Sequence, residues 1–172
     1  MRSIDSASLL RLMKHEEENL ALLDIRSMAE YNGWRLNGEK RGGHIEGAVA
    51  FPFSWFFDER GRTRASSELK RLLASKGITP YKTVVIYGSS GEKPFEASEI
   101  LKSLGYEDVL CLEGGFAAWS CDESLPVDRM KRFEKLVPPF WLNGLIKNGP
   151  PKDLPTQGYK IFEVSWGEPR GI

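Results

Sequence analysis

The sequence predicts an α/β fold in which a mostly parallel sheet is covered by helices on both sides, followed by a C-terminal helix and strand. Apolar runs typical of buried strands alternate with segments whose apolar residues recur at helical spacing. The run 83–87 (TVVIY) is β-branched and apolar on both faces, as in a central parallel strand. A chain of 172 residues accommodates one such domain of about 100 to 150 residues, with a remainder.

The first elements are a helix and a buried strand. Apolar residues recur at helical spacing from Leu9, after the cap candidates Asp5 and Ser6, and the run 20–25 (LALLDI) then predicts a strand. In 27–30 (SMAE), a serine precedes a glutamate by three residues. This spacing lets the two side chains satisfy free backbone amides, so a short helix should begin there.

The later elements follow the same rhythm. Glycine, asparagine and charged residues predict a loop over 32–48, and Gly77 and Gly105 mark the ends of two helices. Pro94 suits the first turn of the second of these helices. The predicted elements after the loop are, in order, a strand at 48–52, a helix at 66–77, the strand at 83–87, a helix from Pro94, a strand at 108–112 and a short helix at 114–119.

Composition narrows the range of partners and compartments. Basic and acidic residues balance at 24 each, so the charge favours neither a nucleic acid nor a membrane surface as partner. The sequence contains no apolar run of about 20 residues and no typical signal peptide, so we expect a soluble, cytoplasmic protein unless a longer precursor is exported. The two cysteines, Cys111 and Cys121, predict free thiols, with a disulfide between them as the less favoured alternative, and they suggest no metal or cofactor site.

The loop after the strand 83–87 is the candidate binding site. Loops at the carboxyl ends of parallel strands commonly hold ligands, and their amides with the next helix N-terminus can hold an anion. The spacing excludes a nucleotide-phosphate loop, which needs four residues between its glycines and a Gly-Lys-Ser/Thr ending. The alternative is an ordinary strand-to-helix turn. The residues of this predicted anion-binding loop are Gly88, Ser89, Ser90, Gly91, Glu92 and Lys93.

Four stretches, in this order, resemble the rhodanese-like domain of thiosulfate sulfurtransferases. They are LLDIRSMAEYNGW, RGGHIEGA, the VVIY strand with its six-residue loop, and VLCLEGGFAAW. The resemblance extends from about Asp5 to Pro126. It implies a five-stranded parallel sheet flanked by helices, with a catalytic cysteine at the first loop position that takes sulfur from thiosulfate as a persulfide.

In this chain the matching position is Gly88, so the resemblance leaves no catalytic residue in the loop. Cys111 falls in a predicted strand and Cys121 at the end of a helix, and the sequence places neither at the loop. Asp24 and Arg26 match the family's Asp-x-Arg, for which we expect a role in supporting the loop. His44 matches a motif before the next strand, where a structural hydrogen bond is expected rather than a base.

The C-terminal part resembles the beginning of a second rhodanese domain. We therefore expect a first domain over 1–128 and, over 129–172, a linker and a truncated second domain with a helix near Trp141 and a strand at 159–164. Either the chain is part of a tandem protein, or this tail covers its own domain. The apolar residues predict packing against a sister domain or a second copy; they include Phe140, Trp141, Phe162 and Trp166.

Three functional hypotheses follow. The first is a catalytically inactive structural domain of a sulfurtransferase with a residual anion-binding loop, to which a small sulfur-containing anion could bind. The second is an active thiosulfate sulfurtransferase that uses Cys111, Cys121 or a downstream domain. The third is a regulatory binding module. A phosphatase is disfavoured, because that chemistry needs a cysteine and an arginine in the loop.

Overall fold

The computed structural model describes residues 2–15, 18–90, 93–135, 137 and 139–149. The chain divides into two compact units, Met1–Leu136 and Val137–Ile172, and each is described by itself. The helices among the described residues are all too short or too polar to cross a membrane. The predicted strand at 159–164, with Phe162, Trp166 and the side chain of Phe140, lies outside the described residues.

The first unit contains the five-stranded parallel sheet that the sequence and its resemblance predicted. In spatial order its strands are β1 (Ser3–Ile4), β6 (Val109–Leu112), β5 (Thr83–Tyr87) at the centre, β2 (Leu20–Asp24) and β4 (Val49–Ala50). The described pairings within this sheet are all parallel. The short edge strand β1 was not predicted from the sequence.

Helices cover both faces of the sheet, and the signals read from the sequence explain their ends. The Asp5 carboxylate accepts a 2.8 Å hydrogen bond from the Ser8 amide at the start of the first helix. At the second helix, Ser27 and Glu30 form the predicted capping box. The helices of this unit are α1 (Ser6–His15), α2 (Met28–Asn32), α3 (Ser66–Ala74), α4 (Lys93–Ser103) and α5 (Gly115–Cys121).

The core consists of two apolar layers, one on each face of the sheet. Residues of β5 alternate between them: Val84 and Ile86 belong to the layer beneath α3 and α4, and Val85 and Tyr87 to the layer beneath α1 and α5. These four side chains are fully buried. The strand is therefore fixed from both faces, and its carboxyl end holds the following loop in a defined position.

A second, two-stranded antiparallel sheet lies beside the first and was missed in the sequence. It pairs β3 (His44–Ile45) with β7 (Val127–Asp128). Strands of two residues carry no periodicity that could predict them. Backbone packing is close here: a Cβ at Gly43 would lie 2.1 Å from the carbonyl oxygen of Asp128, so only glycine fits.

The described part of the second unit is one helix, α6 (Pro139–Asn148), in the segment where the sequence predicted it. Leu145 is buried, whereas Ile146 is mostly exposed. Gly149 follows with a φ of +74°, a left-handed conformation that commonly ends a helix. The proposed boundary between residues 128 and 129 remains a prediction.

Candidate functional site

The loop after β5 borders a cavity of about 780 Å³ at the carboxyl end of the parallel sheet. We call this space the loop cavity. One wall is formed by the loop and the first turns of α4, and the others come from the segments after β2 and β4. The lining residues are Ile25, Arg26, Ser27, Glu30, Asn37, Pro52, Phe53, Ser54, Phe57, Gly88, Ser89, Ser90, Lys93 and Glu96.

Gly88 occupies the first position of the loop and is buried. Its φ lies outside the left-handed region, so the backbone conformation does not require glycine. A Cβ at this position would lie 3.3 Å from Cγ and 3.5 Å from Cδ of Pro94, and 4.0 Å from Cγ1 of Ile25. A Cβ at position 88 therefore requires a shift of a few tenths of an ångström in the Pro94 ring.

The N-terminus of α5 holds the carbonyl groups at the start of the loop. The Phe116 amide donates a 2.8 Å hydrogen bond to the Gly88 carbonyl, and the Ala117 amide donates a 3.1 Å bond to the Ser89 carbonyl. Gly115 permits this approach, because a Cβ there would lie 2.6 Å from the Gly88 oxygen and its φ is +58°. These two hydrogen bonds to α5 fix the backbone of Gly88 and Ser89 in place.

A hydrogen-bond network joins the loop to α2 and the segment that follows it. The Ser89 hydroxyl donates a 2.6 Å bond to Oε1 of Glu30, and the Asn37 side-chain amide donates to both Glu30 Oε1 (2.7 Å) and Ser89 Oγ (3.2 Å). Oε2 of Glu30 accepts from the amide and hydroxyl of Ser27. Burial alone would raise the pKa of Glu30, but the bonds from Ser27 and Ser89 outweigh burial and lower it. Glu30 is therefore a carboxylate at neutral pH.

Arg26 and Asp24 form a buried ion pair beside the loop cavity. Nη2 and Nε of Arg26 donate to the Asp24 carboxylate at 2.6 and 3.0 Å, and Nη2 also donates to the Gly43 carbonyl at 2.6 Å. The Arg26 guanidinium lies 3.8 Å from the Phe116 ring centroid at the start of α5. Burial opposes the charge of Arg26, yet the hydrogen bonds and charge of Asp24 raise its pKa. Arg26 lines the loop cavity, whereas Asp24 does not.

His44 is separated from the loop cavity, which it does not line. Its Nδ1 lies 2.7 Å from the Tyr31 carbonyl oxygen, and its ring stacks on the Tyr31 ring at a centroid distance of 3.7 Å. The Tyr31 hydroxyl in turn donates to the Ala48 carbonyl. These contacts show His44 within the packing between α2 and β3.

The open side of the loop cavity combines aromatic rings with charged groups. Lys93 is exposed at the start of α4, and its Nζ lies 6.0 Å from the Phe53 ring centroid. Lys93 is the lining cation that lacks a carboxylate partner among the described residues, because Arg26 is paired with Asp24. Two lining carboxylates, Glu30 and Glu96, oppose it. Lys93 is therefore the one described lining cation whose charge is not already paired within the loop cavity.

The two cysteines occupy different environments, and both are free thiols. Cys121 is exposed at the end of α5. Cys111 is buried on β6, level with Ile86 of β5, and its thiol donates a 3.4 Å hydrogen bond to the Pro94 carbonyl. It lines a separate cavity of about 200 Å³ that also borders Ser90 and Pro94. Burial raises the pKa of the Cys111 thiol, which is protonated at neutral pH.

The structure brings only part of the predicted site together. The loop cavity is lined by Gly88, Ser89, Ser90, Lys93 and Arg26, whereas Asp24 and His44 do not line it. The two remaining residues of the predicted loop, 91 and 92, lie outside the described residues. Sequence reasoning missed the contributions that come from distant segments, those of Glu30, Asn37, Phe53 and Phe57. The capping box was the one signal at Glu30, and it gave no indication of a contact with the loop.

Comparison with known proteins identifies relatives of the first unit. The family model for the rhodanese-like domain matches residues 6–122. A thiosulfate sulfurtransferase of Azotobacter vinelandii is 33% identical over 110 residues, which cover 64% of this chain and 40% of the relative. The thiosulfate sulfurtransferase YnjE of Escherichia coli is 27% identical over 164 residues, which cover 94% of this chain and 34% of the relative.

Solved structures agree with these matches. The anaerobic ergothioneine biosynthesis enzyme from Chlorobium limicola, in complex with its natural substrate trimethyl histidine, is similar with a TM-score of 0.72 and 32% sequence identity. This likeness covers 90% of the chain and 34% of the enzyme. The chain thus spans well under half the length of these relatives.

Proposed function

The chain belongs to the rhodanese-like family, and from that premise we propose that its first unit is a catalytically inactive domain of a sulfurtransferase. In this proposal the domain has a structural or regulatory role and keeps a residual anion-binding loop. Its partner is a sister rhodanese domain or a second copy, bound through the C-terminal segment. The relatives are more than twice as long as the matched segment, which leaves room in them for such a domain.

The observation that carries the proposal is that a glycine, Gly88, occupies the first loop position. Gly88 provides no atom that could attack thiosulfate, yet the surroundings of a reactive group remain. The loop carbonyls are held by α5, the Ser89 side chain is held by Glu30, and a Cβ at Gly88 meets only Pro94 at less than 3.5 Å. This arrangement supports a loop that retains its shape and lacks its nucleophile.

The environments of the two cysteines support the same conclusion. Sulfur transfer requires an accessible thiolate. Cys111 is buried, and burial raises the pKa of its thiol. Cys121 is exposed but lies at the far end of α5 from Phe116, whose amide contacts the loop.

The test is whether a cysteine at position 88 restores sulfur uptake. In an active rhodanese, the thiolate attacks the outer sulfur of thiosulfate, the sulfur–sulfur bond breaks, and sulfite leaves with the bonding electron pair. The protein gains one sulfur atom as a persulfide, and cyanide removes it as thiocyanate. We expect Gly88→Cys in a background of Cys111→Ser and Cys121→Ser to gain this sulfur, measured by intact mass.

The matched control is Ser90→Cys in the same background, because Ser90 is exposed in the same loop but does not occupy its first position. We expect no stable gain of sulfur there, nor in the unmodified chain. Uptake by the unmodified chain contradicts the proposal. The absence of uptake by a folded Gly88→Cys variant also contradicts it, since the loop then does not support a reactive thiolate at its first position.

One observation favours a second candidate, an active sulfurtransferase that uses Cys111. The cavity that Cys111 lines also borders Ser90, so this cavity connects the cysteine with the loop after β5. For this alternative, we expect the unmodified chain to gain sulfur from thiosulfate, and Cys111→Ser to abolish the gain while Cys121→Ser preserves it.

A further inference from the structure

A second cavity, of about 500 Å³, lies between the segment after α2 and the segment after β7. Four of its eight lining residues are basic, and none is acidic among the described lining residues. We call it the basic cavity. Its lining residues are Gly33, Arg35, Lys40, Arg41, Gly42, Val127, Arg129 and Phe133. It lies wholly within the first unit and shares no lining residue with the loop cavity.

The charge of this cavity lining differs from the overall balance of the chain. Basic and acidic residues balance over the whole sequence, at 24 each. The basic cavity nevertheless gathers cations from two segments that are almost 90 positions apart in the chain, and the exposed residues Lys131, Arg132 and Lys135 extend the second segment. Like charges brought together repel one another, so this arrangement costs free energy in the absence of a counter-charge.

Among the described residues, the Asp128 carboxylate lies beside Arg129 and accepts a 2.7 Å hydrogen bond from its backbone amide, not from its guanidinium. Lys40 and Arg129 are exposed and form no ion pair within the described residues. The Arg129 guanidinium lies 5.1 Å from the Phe133 ring centroid, and Arg35 donates a 3.3 Å hydrogen bond to the Lys40 carbonyl. The basic cavity is therefore lined by three positive charges, those of Arg35, Lys40 and Arg129, that no described ion pair offsets.

The fourth cation, Arg41, anchors the wall of the basic cavity. Its guanidinium donates to four carbonyl oxygens, those of Trp119, Ser120, Asp122 and Leu125, at 2.5 to 3.2 Å. These carbonyls lie at the C-terminal end of α5 and in the turn after it, where a cation is favourable. Arg41 thus adds charge while fixing the segment that presents Lys40.

The floor of the basic cavity is closely packed and preformed. A Cβ at Gly42 would lie 1.8 Å from the Gly33 carbonyl oxygen, and a Cβ at Gly33 would lie 2.6 Å from the Phe133 ring. The Met130 amide also donates a 3.1 Å hydrogen bond to the Asn32 carbonyl, which joins the two segments. The cations are therefore presented on a fixed surface, and little ordering is required when a ligand binds.

From this geometry we propose that the basic cavity binds a small ligand that carries a polyphosphate group. Guanidinium groups match phosphate oxygens through paired hydrogen bonds, and an ammonium adds a point charge. A cluster of three such groups fits several phosphate oxygens better than one carboxylate. The Phe133 ring packs against Gly33 and lies 5.1 Å from the Arg129 guanidinium, so it supports the cations rather than offering a free face to the ligand. This proposal is independent of the function proposed for the loop.

The test measures the binding of inorganic tripolyphosphate to the full chain by calorimetry, at an ionic strength of about 0.15 M. The variant is Lys40→Gln with Arg129→Gln, which removes two unpaired cations and leaves Arg41 in place. The matched control is Lys70→Gln with Arg71→Gln, an equal change of charge on the exposed face of α3. We expect affinity to fall at least about tenfold in the first pair and less than about twofold in the control.

ATP, measured in the same way, distinguishes the sources of the phosphate. Tighter binding of ATP than of tripolyphosphate identifies a nucleotide as the ligand, and equal binding identifies the phosphate chain alone. The proposal is overturned if tripolyphosphate does not bind at millimolar concentration, or if both variant pairs lose affinity equally. If circular dichroism shows that the double variant is unfolded, the single variants replace it, each with an expected loss of about threefold.

Discussion

Ser89 and Glu30 lie 59 residues apart in the chain, yet the Ser89 hydroxyl donates a 2.6 Å hydrogen bond to Oε1 of Glu30. The other oxygen of the same carboxylate closes the N-terminal cap of α2 through Ser27. One side chain therefore joins the helix after β2 to the loop after β5. The Glu30 carboxylate therefore holds two walls of the loop cavity together.

Replacing Glu30 by Gln is expected to lower the free energy of unfolding at neutral pH by about 1–3 kcal/mol, because hydrogen bonds to a charged acceptor are the stronger kind. The pKa of Glu30 is held below its ordinary value of 4.5. Its contribution is therefore present above that pH and lost as the pH falls through the folded-state pKa. The measurement is urea unfolding of both proteins at several pH values between neutral and about 3.

We expect the difference between wild type and Glu30→Gln to shrink as the solution becomes acidic. Glu107→Gln is the control, since Glu107 is exposed in the turn after α4, and it should follow the wild type throughout. A difference that stays constant with pH would show that the carboxylate charge contributes nothing to the network.

Local patterns in the sequence accounted for most of the fold but for little of the site. The capping box at Ser27, the apolar run of β5 and the proline in the first turn of α4 are signals within a few residues, and each predicted the element observed. The contact of Asn37 with Ser89, in contrast, depends on the path of a glycine-rich loop. No periodicity or cap encodes such a path, so the site could be located at the loop but not assembled.

The two-stranded antiparallel sheet and the basic cavity were missed for the same reason. Arg41 reaches the carbonyls after α5 across about 80 residues of chain, and nothing near Arg41 in the sequence indicates those partners. The balanced composition also gave no indication of the local positive charge of the basic cavity, because a net charge of zero says nothing about how charges are distributed on the surface. The antiparallel sheet and the basic cavity become visible only when the fold brings distant segments of the chain together.

Replacing Asp24 by Asn is expected to lower the free energy of unfolding by about 3–5 kcal/mol, because it leaves the Arg26 guanidinium buried without its counter-charge. Both side chains are at most 2% exposed. The ion pair between Arg62 and Asp58 provides a comparison, since the Arg62 side chain is 69% exposed. Asp58→Asn should therefore have a much smaller effect on stability.

Chemical unfolding of the two asparagine variants beside the wild type measures this difference. A structural role for Asp24 also predicts an effect on the loop, since Arg26 lines the loop cavity and contacts Phe116. We expect Asp24→Asn to shift the amide resonances of Gly88 and Ser89, and Asp58→Asn to leave them in place. Equal loss of stability in both variants would contradict the assignment of Asp24 and Arg26 as the support of the loop.

Gly42, which lines the basic cavity, and Gly88, which lines the loop cavity, should differ strongly in their tolerance of alanine. At Gly42 a Cβ would lie 1.8 Å from the Gly33 carbonyl oxygen, and neither backbone segment can withdraw without breaking the contacts around it. We expect Gly42→Ala to lower the free energy of unfolding by more than about 2 kcal/mol. At Gly88 the nearest atom to a Cβ is Cγ of Pro94 at 3.3 Å, and φ is not left-handed.

Gly88→Ala should therefore change the free energy of unfolding by less than about 1 kcal/mol, because the reduced flexibility of the unfolded chain offsets a slight displacement of the Pro94 ring. Denaturant unfolding of the two alanine variants compares them directly. Large destabilisation by Gly88→Ala would mean that the loop has no space for a Cβ at position 88. A cysteine there could then not restore sulfur uptake. A well-tolerated alanine, with Gly42→Ala strongly destabilised, would show that the first loop position still has room for a side chain, as the proposed loss of a nucleophile requires.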